Sequence, residues 1–447
     1  MIPRGFAVVA LMAGTVAGAA APAFAAAAGT QPRFGALLFA VAMLVLAAKA
    51  AGLLAERLRQ PPVLGELVVG IVLGNLLPPL VGGIEVATLR SDPTILFLAQ
   101  IGVLILLFDV GLEADLQALA RVGPSSLLVA LIGVVVPVAL GWAVAAWLMP
   151  DSPPMAQIFV GATLSATSVG ITARVLKDLG ATRSREGQIV LGAAIVDDIL
   201  GLVLLAVIGG VVGAASRGEG GGVSALTVLG ILIRAMVFLG CTAALGHYFS
   251  ARIIRLAART GHPEMMLVLG LAACFTLAFI AELIGLAGIV GAFAAGLVLD
   301  PHGRGVRTSE HDATLAELLH PISTMFVPLF FVIMGAQVHL GALADPTMLL
   351  FAVILTLGAV AGKLACGWGV LAKGANRLAV GIAMVPRGEV GLIFAGIGAT
   401  LMVEGRPILS GGLFAAVVLM VLLTTLAAPI GLRWAIHRTE GQAGDDA

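Results

Sequence analysis

Two adjacent carboxylates sit where a chain tolerates them least. Asp197 and Asp198 fall inside "GAAIVDDILGLVLLAVIGG" (192–210), a run that is otherwise apolar throughout. An aspartate at a bilayer centre costs about 2.5–3.5 kcal/mol on the insertion scale, against a gain of about 0.3–0.6 for each Leu, Ile, Val or Phe. Neighbouring helical positions point about 100° apart. One carboxylate can therefore meet a structural partner while the other faces a cavity. The matching cation is Lys363, in "AVAGKLACGWGVLAKG" (359–374), well inside its own apolar run and far from Lys373 at its end. Desolvation penalises the charged form of both groups. A buried carboxyl and a buried ammonium are poised near neutrality, where a proton can be exchanged for another cation.

The same chemistry needs oxygen ligands. "FVGATLSATSVGITARVL" (159–176) clusters Ser165, Thr167 and Ser168 between Gly161 and Gly170. "GIAMVPRGEVGLIFAGIG" (381–398) sets Pro386, Arg387 and Glu389 among Gly381, Gly388 and Gly391. Proline lacks the amide hydrogen that a helix interior requires. Both segments read as discontinuous helices. Unwound backbone survives at membrane depth only where it is buried or lines a watery cavity, so the two breaks are expected to cross near the midplane. Hydroxyls and freed carbonyls beside a carboxylate suit a hard monovalent cation. Glycine-mediated helix packing accounts for the glycines, but not for Arg387 and Glu389 beside Pro386. Those two could form an ion pair that steadies the break.

The elements that must position these groups are membrane helices. The chain is 60% hydrophobic and 11% charged, less than half the roughly 25% charge of a soluble domain. After residue 30 there are about thirteen apolar spans, each near the length that crosses the ~30 Å hydrocarbon core. They cover 34–56, 61–80, 93–112, 123–149, 155–177, 186–210, 225–251, 263–284, 285–300, 317–339, 346–371, 377–403 and 407–434, the ninth being short. Formal net charge is zero, so no overall field draws the chain to nucleic acid. Cys241, Cys274 and Cys366 each lie in a different apolar run, without metal-ligand spacing, and read as small core residues. Nothing in the sequence calls for a cofactor.

Lys and Arg orient the spans. Arg57, Arg59, Arg121, Arg174, Lys177, Arg183, Arg185, Arg252, Arg255, Arg259, Arg304, Arg307, Lys373, Arg377, Arg433 and Arg438 fall in one set of alternate loops; the other set has only Arg33, Arg90, Arg217 and Arg406. The positive-inside rule makes the first set cytoplasmic. The N-terminus is then outside and the C-terminus inside. Residues 1–25 carry Arg4, a short apolar stretch and the small-residue site Ala23-Phe24-Ala25, the pattern of a cleaved signal peptide. "SRGEGGG" (216–222) reads as an external turn.

The halves repeat. "VLGELVVGIVLG" (63–74) matches "IVGAFAAGLVLD" (289–300), "GLEADL" (111–116) faces "GAQVHL" (335–340), and "SVGIT" (168–172) faces "EVGLI" (389–393), all at offsets near 221 to 226. That offset is seven spans, an odd number, so the halves are inverted. Inverted repeats are characteristic of secondary transporters, whose substrate site lies between them near the midplane. Spans one to six pair with eight to thirteen, and span seven connects them. Other intramembrane charges have structural readings. Lys49 could pair with Glu66, and Arg234 with Glu282. Asp109, Glu113 and Asp115 lie at the cytoplasmic edge, and His247 is interfacial.

"TLSATSVGITARVLKDLG", "GQIVLGAAIVDDILGLVLLA", "PPVLGELVVGIVLG", "GVLILLFDVGLEADL" and "MVPRGEVGLIFAGIG" together resemble the bacterial cation/proton antiporter-2 family, in particular its electrogenic NapA-type sodium/proton antiporters. The resemblance covers nearly the whole chain after the first residues. It implies an all-α polytopic protein of about thirteen transmembrane helices in two inverted repeats, with two crossing discontinuous helices. It also implies an inner-membrane homodimer in which a core domain (123–210 and 346–434) moves against a dimerisation domain (34–112 and 263–339), with 225–251 as connector. Carried over by position, Asp198 is the main carboxylate for the cation (Na+) and the proton, Asp197 is the partner of Lys363, and Thr167 and Ser168 sit at the unwound crossing. Ser165, Pro386, Arg387 and Glu389 support that crossing. The implied activity is Na+(Li+)/H+ antiport, with no enzymatic step. A K+/H+ antiporter is the alternative, although K+-efflux relatives usually carry a nucleotide-binding domain that no loop here could hold. An intramembrane aspartyl protease also buries two aspartates, but on separate helices, and it leaves Lys363 unexplained.

Overall fold

The computed structural model describes residues 32–58, 60–76, 92–113, 123–178, 181, 184–216, 225–260, 262, 264–299, 313–403, 406–409 and 411–445. Residues 1–25, most of the 216–222 turn, Asp115 and the side chains of His247 and Glu389 lie outside what is described.

Helices dominate. In chain order they are α1 (Pro32–Arg57), α2 (Pro62–Leu76), α3 (Pro93–Glu113), α4 (Pro124–Leu148), α5 (Pro154–Thr163), α6 (Val169–Asp178), α7 (Arg185–Ser216), α8 (Ala225–Thr260), α9 (Glu264–Leu283), α10 (Gly288–Leu299), α11 (Leu315–Ala336), α12 (Pro346–Leu364), α13 (Arg377–Ala383), α14 (Gly388–Thr400) and α15 (Gly411–Asp445). Short 3-10 turns precede and follow α12, and a two-residue hairpin (Met402–Val403 with Arg406–Pro407) joins α14 to α15. Taking α5 with α6 and α13 with α14 as single interrupted spans, each expected span has its helix. Seven helices among the described residues are long and apolar enough to cross a membrane, and the chain is a multi-pass membrane protein.

Local chemistry sets the helix starts. Pro32, Pro62, Pro93, Pro124, Pro154 and Pro346 each open a helix, where the missing N–H is no loss. Asp345 caps α12 by accepting the Thr347 N–H at 2.9 Å, and Asn376 caps α13 by accepting from Leu378 and Ala379. Thr314 and Glu317 form a reciprocal capping box at the start of α11.

Two compact units emerge. The first joins the residues up to Gly102 with Thr324–Leu340; the second joins Val103–Ser323 with the chain from Gly341 onward. In the first, Gly65 lets α2 lie on the Ala51 carbonyl of α1, Gly70 lies on the Val332 carbonyl of α11, and Gly335 lies on the Leu67 carbonyl. In the second, Gly291 lets α10 lie on the Leu277 carbonyl of α9, Gly296 lies on the Phe108 carbonyl of α3, and Gly111 lies on the Phe293 carbonyl. Every glycine and every partner in the first set has its counterpart in the second at an offset of 224 or 226. The repeat seen in the sequence is thus a repeat of backbone contacts, each requiring a residue without Cβ.

The functional residues all belong to the second unit. There α4 packs against α5, α7 and α12, and α15 packs against α12, α13 and α14. Beneath the charged groups, Val129 and Ala130 of α4, Ile189, Val190, Ala193 and Val196 of α7, and Val380, Ala383 and Met384 form a continuous apolar core.

Candidate functional site

α7 runs unbroken past Asp197 and Asp198, and its regular turn separates their environments. Asp197 is 2% exposed. Asp198, the next residue, is half-buried. Lys363 occupies the last turn of α12 and is wholly buried. Its Nζ donates to both carboxylate oxygens of Asp197, at 3.2 Å to Oδ1 and 3.3 Å to Oδ2. The two groups are thus a hydrogen-bonded ion pair without access to solvent. Removing one member of such a pair costs about 3–5 kcal/mol, because the survivor is left uncompensated.

The two interrupted spans meet beside this pair. The first break is Leu164–Ser168, between α5 and α6; the second is Met384–Arg387, between α13 and α14. The Ser168 N–H donates to the Pro386 carbonyl at 2.8 Å. The Thr172 hydroxyl donates to Ala383 at 2.7 Å, and Thr167 Oγ1 reaches the Met384 carbonyl at 3.5 Å. Ser165, Thr167 and Ser168 are all buried. Thr163 and Ser165 hydroxyls fold back onto the Val160 and Ala162 carbonyls of their own helix, a local bond that competes with helix continuation. Gly388 is required by close approach: a Cβ there would collide with the Ser168 side chain.

Arg387 is the largest fully buried side chain in the described molecule. Its Nη1 donates to the Ala166 carbonyl at 2.6 Å and its Nη2 to the Ala359 carbonyl at 3.1 Å. One guanidinium thus ties the second break to the first, and ties both to α12 one turn before Lys363.

A family model described as "Sodium/hydrogen exchanger, transmembrane" matches residues 41–438. The chain belongs to the sodium/hydrogen exchanger family. As a member of that family it is 35% identical over 429 residues to the high-affinity Na+/H+ antiporter NhaS3 of Synechocystis sp., covering 89% of each chain. It is also 35% identical over 401 residues to the Na+/H+-K+ antiporter GerN of Bacillus cereus, covering 89% of this chain and 95% of that one. The solved sodium proton antiporter MjNhaP1 of Methanocaldococcus jannaschii shares the exchanger fold, with a TM-score of 0.66 at 16% identity over 89% of this chain and 97% of that one.

In this exchanger-family chain, Asp197, Lys363, Ser165, Thr167, Ser168, Pro386 and Arg387 come together at the crossing, with Asp198 one residue from Asp197. Arg387 donates to two backbone carbonyls in other segments, while the expected local Arg387–Glu389 pair falls on a side chain outside the described residues. Lys49 acts electrostatically on Glu66, though the two form no salt bridge among the described residues, and Glu66 is buried against Gly52. Arg234 and Glu282 are exposed and form no salt bridge among the described residues; Arg234 donates to the Ile284 carbonyl at 3.5 Å. Gly133 of α4 and Cys366 in the turn after α12, the latter expected only as a small core residue, lie beside the ion pair, and Pro137 of α4 packs against Gly362 next to Lys363; Gly133 and Pro137 were not among the expected site residues. A proline deep inside an uninterrupted apolar span was the available signal.

Proposed function

We propose that this chain is an electrogenic antiporter that exchanges a monovalent cation, Na+ with Li+ as its surrogate, for protons by alternating access. The observation that carries the reading is the buried Lys363–Asp197 pair, set beside crossing helix breaks and followed on the same helix by a half-buried carboxylate. Asp198 is the carboxylate that proton and cation occupy in turn. Thr167, Ser168 and the carbonyls of the break complete an oxygen shell for the cation. Protons from outside neutralise Asp198 and release the Asp197–Lys363 contact. The core moves, the protons leave inward, and a cation takes the vacated carboxylate. Because proton and cation compete, coupling needs no state that holds both. More than one proton-binding group against one cation site makes the cycle carry net charge.

In this reading the protein lies in a bacterial inner membrane as a homodimer, N-terminus outside and C-terminus cytoplasmic. The Lys and Arg bias of the loops supports that orientation. The helices of 34–112 and 263–339 form the dimer, and those of 123–210 and 346–434 move. The family and its antiporter relatives support transport rather than catalysis.

The test is ion substitution in proteoliposomes with an imposed pH gradient and a fluorescent pH indicator. Na+ and Li+ dissipate the gradient and K+ does so weakly. A response to K+ alone moves the assignment to K+/H+ exchange, in keeping with the relative named for both ions, and no response to any of the three rejects antiport.

A further inference from the structure

The exchange reading draws every one of its residues from the second unit. In the first unit one buried carboxyl group is left without a task. Glu66 of α2 is 4% exposed, yet its carboxyl group has no hydrogen bond and no salt bridge among the described residues. It has little freedom to leave. The preceding residue, Gly65, lies on the Ala51 carbonyl and beside the Gly52 nitrogen, which locks α2 onto α1 by backbone contact. The Glu66 side chain then lies against Gly52, where an added Cβ would be 3.4 Å from Oε1 and 3.7 Å from Cγ. A carboxylate taken out of water without a partner is so costly that it neutralises instead.

The surroundings offer that group one alternative to a proton. Lys49, Gly52 and Glu56 follow at i, i+3 and i+7, so α1 presents them on one face. Lys49 is half-buried and Glu56 exposed. These two are the charged groups that act on Glu66; by sign, the ammonium favours an anion there and the second carboxylate opposes it. Glu66 is the only titratable residue of α2, and the parts of α3 and α11 in this unit, Pro93–Gly102 and Thr324–Ala336, have none. Lys49 is therefore the one cation at hand. It starts three residues from Gly52, about 4.5 Å along the axis, a gap that the four-carbon stem of lysine spans.

We propose that Glu66 is a proton-binding site separate from the cation site, and that Lys49 is the partner it takes when the proton leaves. The neutral acid fits against Gly52 as the structure shows it. The anion draws the ammonium along the α1 stripe, and the buried charge is again matched. In the orientation given by the loops, Glu66 lies about one turn inside the cytoplasmic start of α2, so the site answers to the cytoplasmic side. It goes beyond the exchange reading, because Asp197, Asp198 and Lys363 take no part in it.

The test is the pH dependence of thermal midpoints, measured on detergent-solubilised full-length protein for wild type, Glu66→Gln, Lys49→Gln and the double variant. In the unfolded chain Glu66 is ionised above the ordinary carboxyl range, whereas the folded chain keeps the proton. The folded state thus binds more protons, and its advantage falls as pH rises. Glutamine is neutral at every pH and escapes that loss. Near pH 6 Glu66→Gln should match the wild type, and toward about pH 9 the wild type should fall several degrees below it. Lys49→Gln should deepen the loss at high pH, and in the Glu66→Gln background it should add nothing that depends on pH. A wild-type and Glu66→Gln difference that is constant with pH overturns the proton site. An equal loss with and without Lys49 overturns the lysine's part. A second measurement uses the wild type alone. A lipophilic carbodiimide adds to a protonated buried carboxyl group and leaves a stable N-acylurea that retains the atoms of both reactants. Peptide mapping should find Glu66 modified near pH 6 and modified about tenfold less near pH 9; no modification at either pH overturns the proposal. Should Glu66→Gln fail to fold, this labelling decides. If the wild-type protein moves no cation, the exchange reading fails, while the midpoints and the labelling still decide this one.

Discussion

The site has two halves of opposite character, divided between adjacent residues of α7. In the braced half, Asp197 is 2% exposed and bound to Lys363, and Arg387 fastens the crossing to α12 through two carbonyls. In the open half, Asp198 is half-buried. The contrast separates two tasks that a pair of carboxylates could share. Charges sealed from water must be matched or neutralised together, so the buried pair braces the framework and changes only as a unit. A carboxylate that retains access can alternate between proton and cation. The largest effect on transport and the largest effect on stability should therefore come from neighbouring positions.

The sharpest test removes charge from the open half. Asp198→Asn is isosteric and leaves the braced half intact. It is expected to abolish cation-driven proton movement in proteoliposomes while the thermal midpoint stays near that of the wild type. Full activity in this variant would break the comparison, since the accessible carboxylate would not be the carrier.

The opposite result is expected in the braced half. Lys363→Gln leaves Asp197 buried without its cation and should cost about 3–5 kcal/mol of stability, read as a lower midpoint in detergent. Adding Asp197→Asn should recover much of that loss, because a neutral pair needs no compensation. Transport current per cation moved should also change in Lys363→Gln if the pair carries a proton. A variant with unchanged midpoint and unchanged current would place Lys363 outside both tasks.

Much of this division was legible in the sequence. Two aspartates and one lysine inside apolar runs are costly enough to predict each other, and the glycines of the repeat marked their own backbone contacts in advance. Pro386 and the Ser/Thr cluster announced the two breaks, because a missing N–H and competing hydroxyls are local properties. What could not be read were contacts made through backbone carbonyls. Arg387 donates to Ala166 and Ala359, residues without a polar side chain to reveal them. Gly133 and Pro137 were hidden because residues without a polar side chain become informative only when another helix is placed beside them, here α12 with Gly362 and Lys363. The exposure that separates Asp197 from Asp198 was likewise invisible, since both occupy the same run and differ by a turn of about 100°.

The smallest expected effect distinguishes two threonines at the crossing. Thr172 is buried and donates to the Ala383 carbonyl at 2.7 Å. Ala383 ends α13, so its carbonyl is among those a helix terminus leaves unpaired, and the threonine serves it. Thr167 is equally buried, but its hydroxyl reaches Met384 only at 3.5 Å, the outer limit of a hydrogen bond, and it can be given to a cation at little cost. Thr172→Val, nearly isosteric, should therefore lower stability by about 1 kcal/mol and leave the KM for Na+ and kcat nearly unchanged. Thr167→Val should do the reverse, raising KM with little change in midpoint. If Thr172→Val raised KM more than Thr167→Val did, the cation's oxygens would lie on the α6 side of the crossing, and the boundary between framework and binding site would have to be redrawn there.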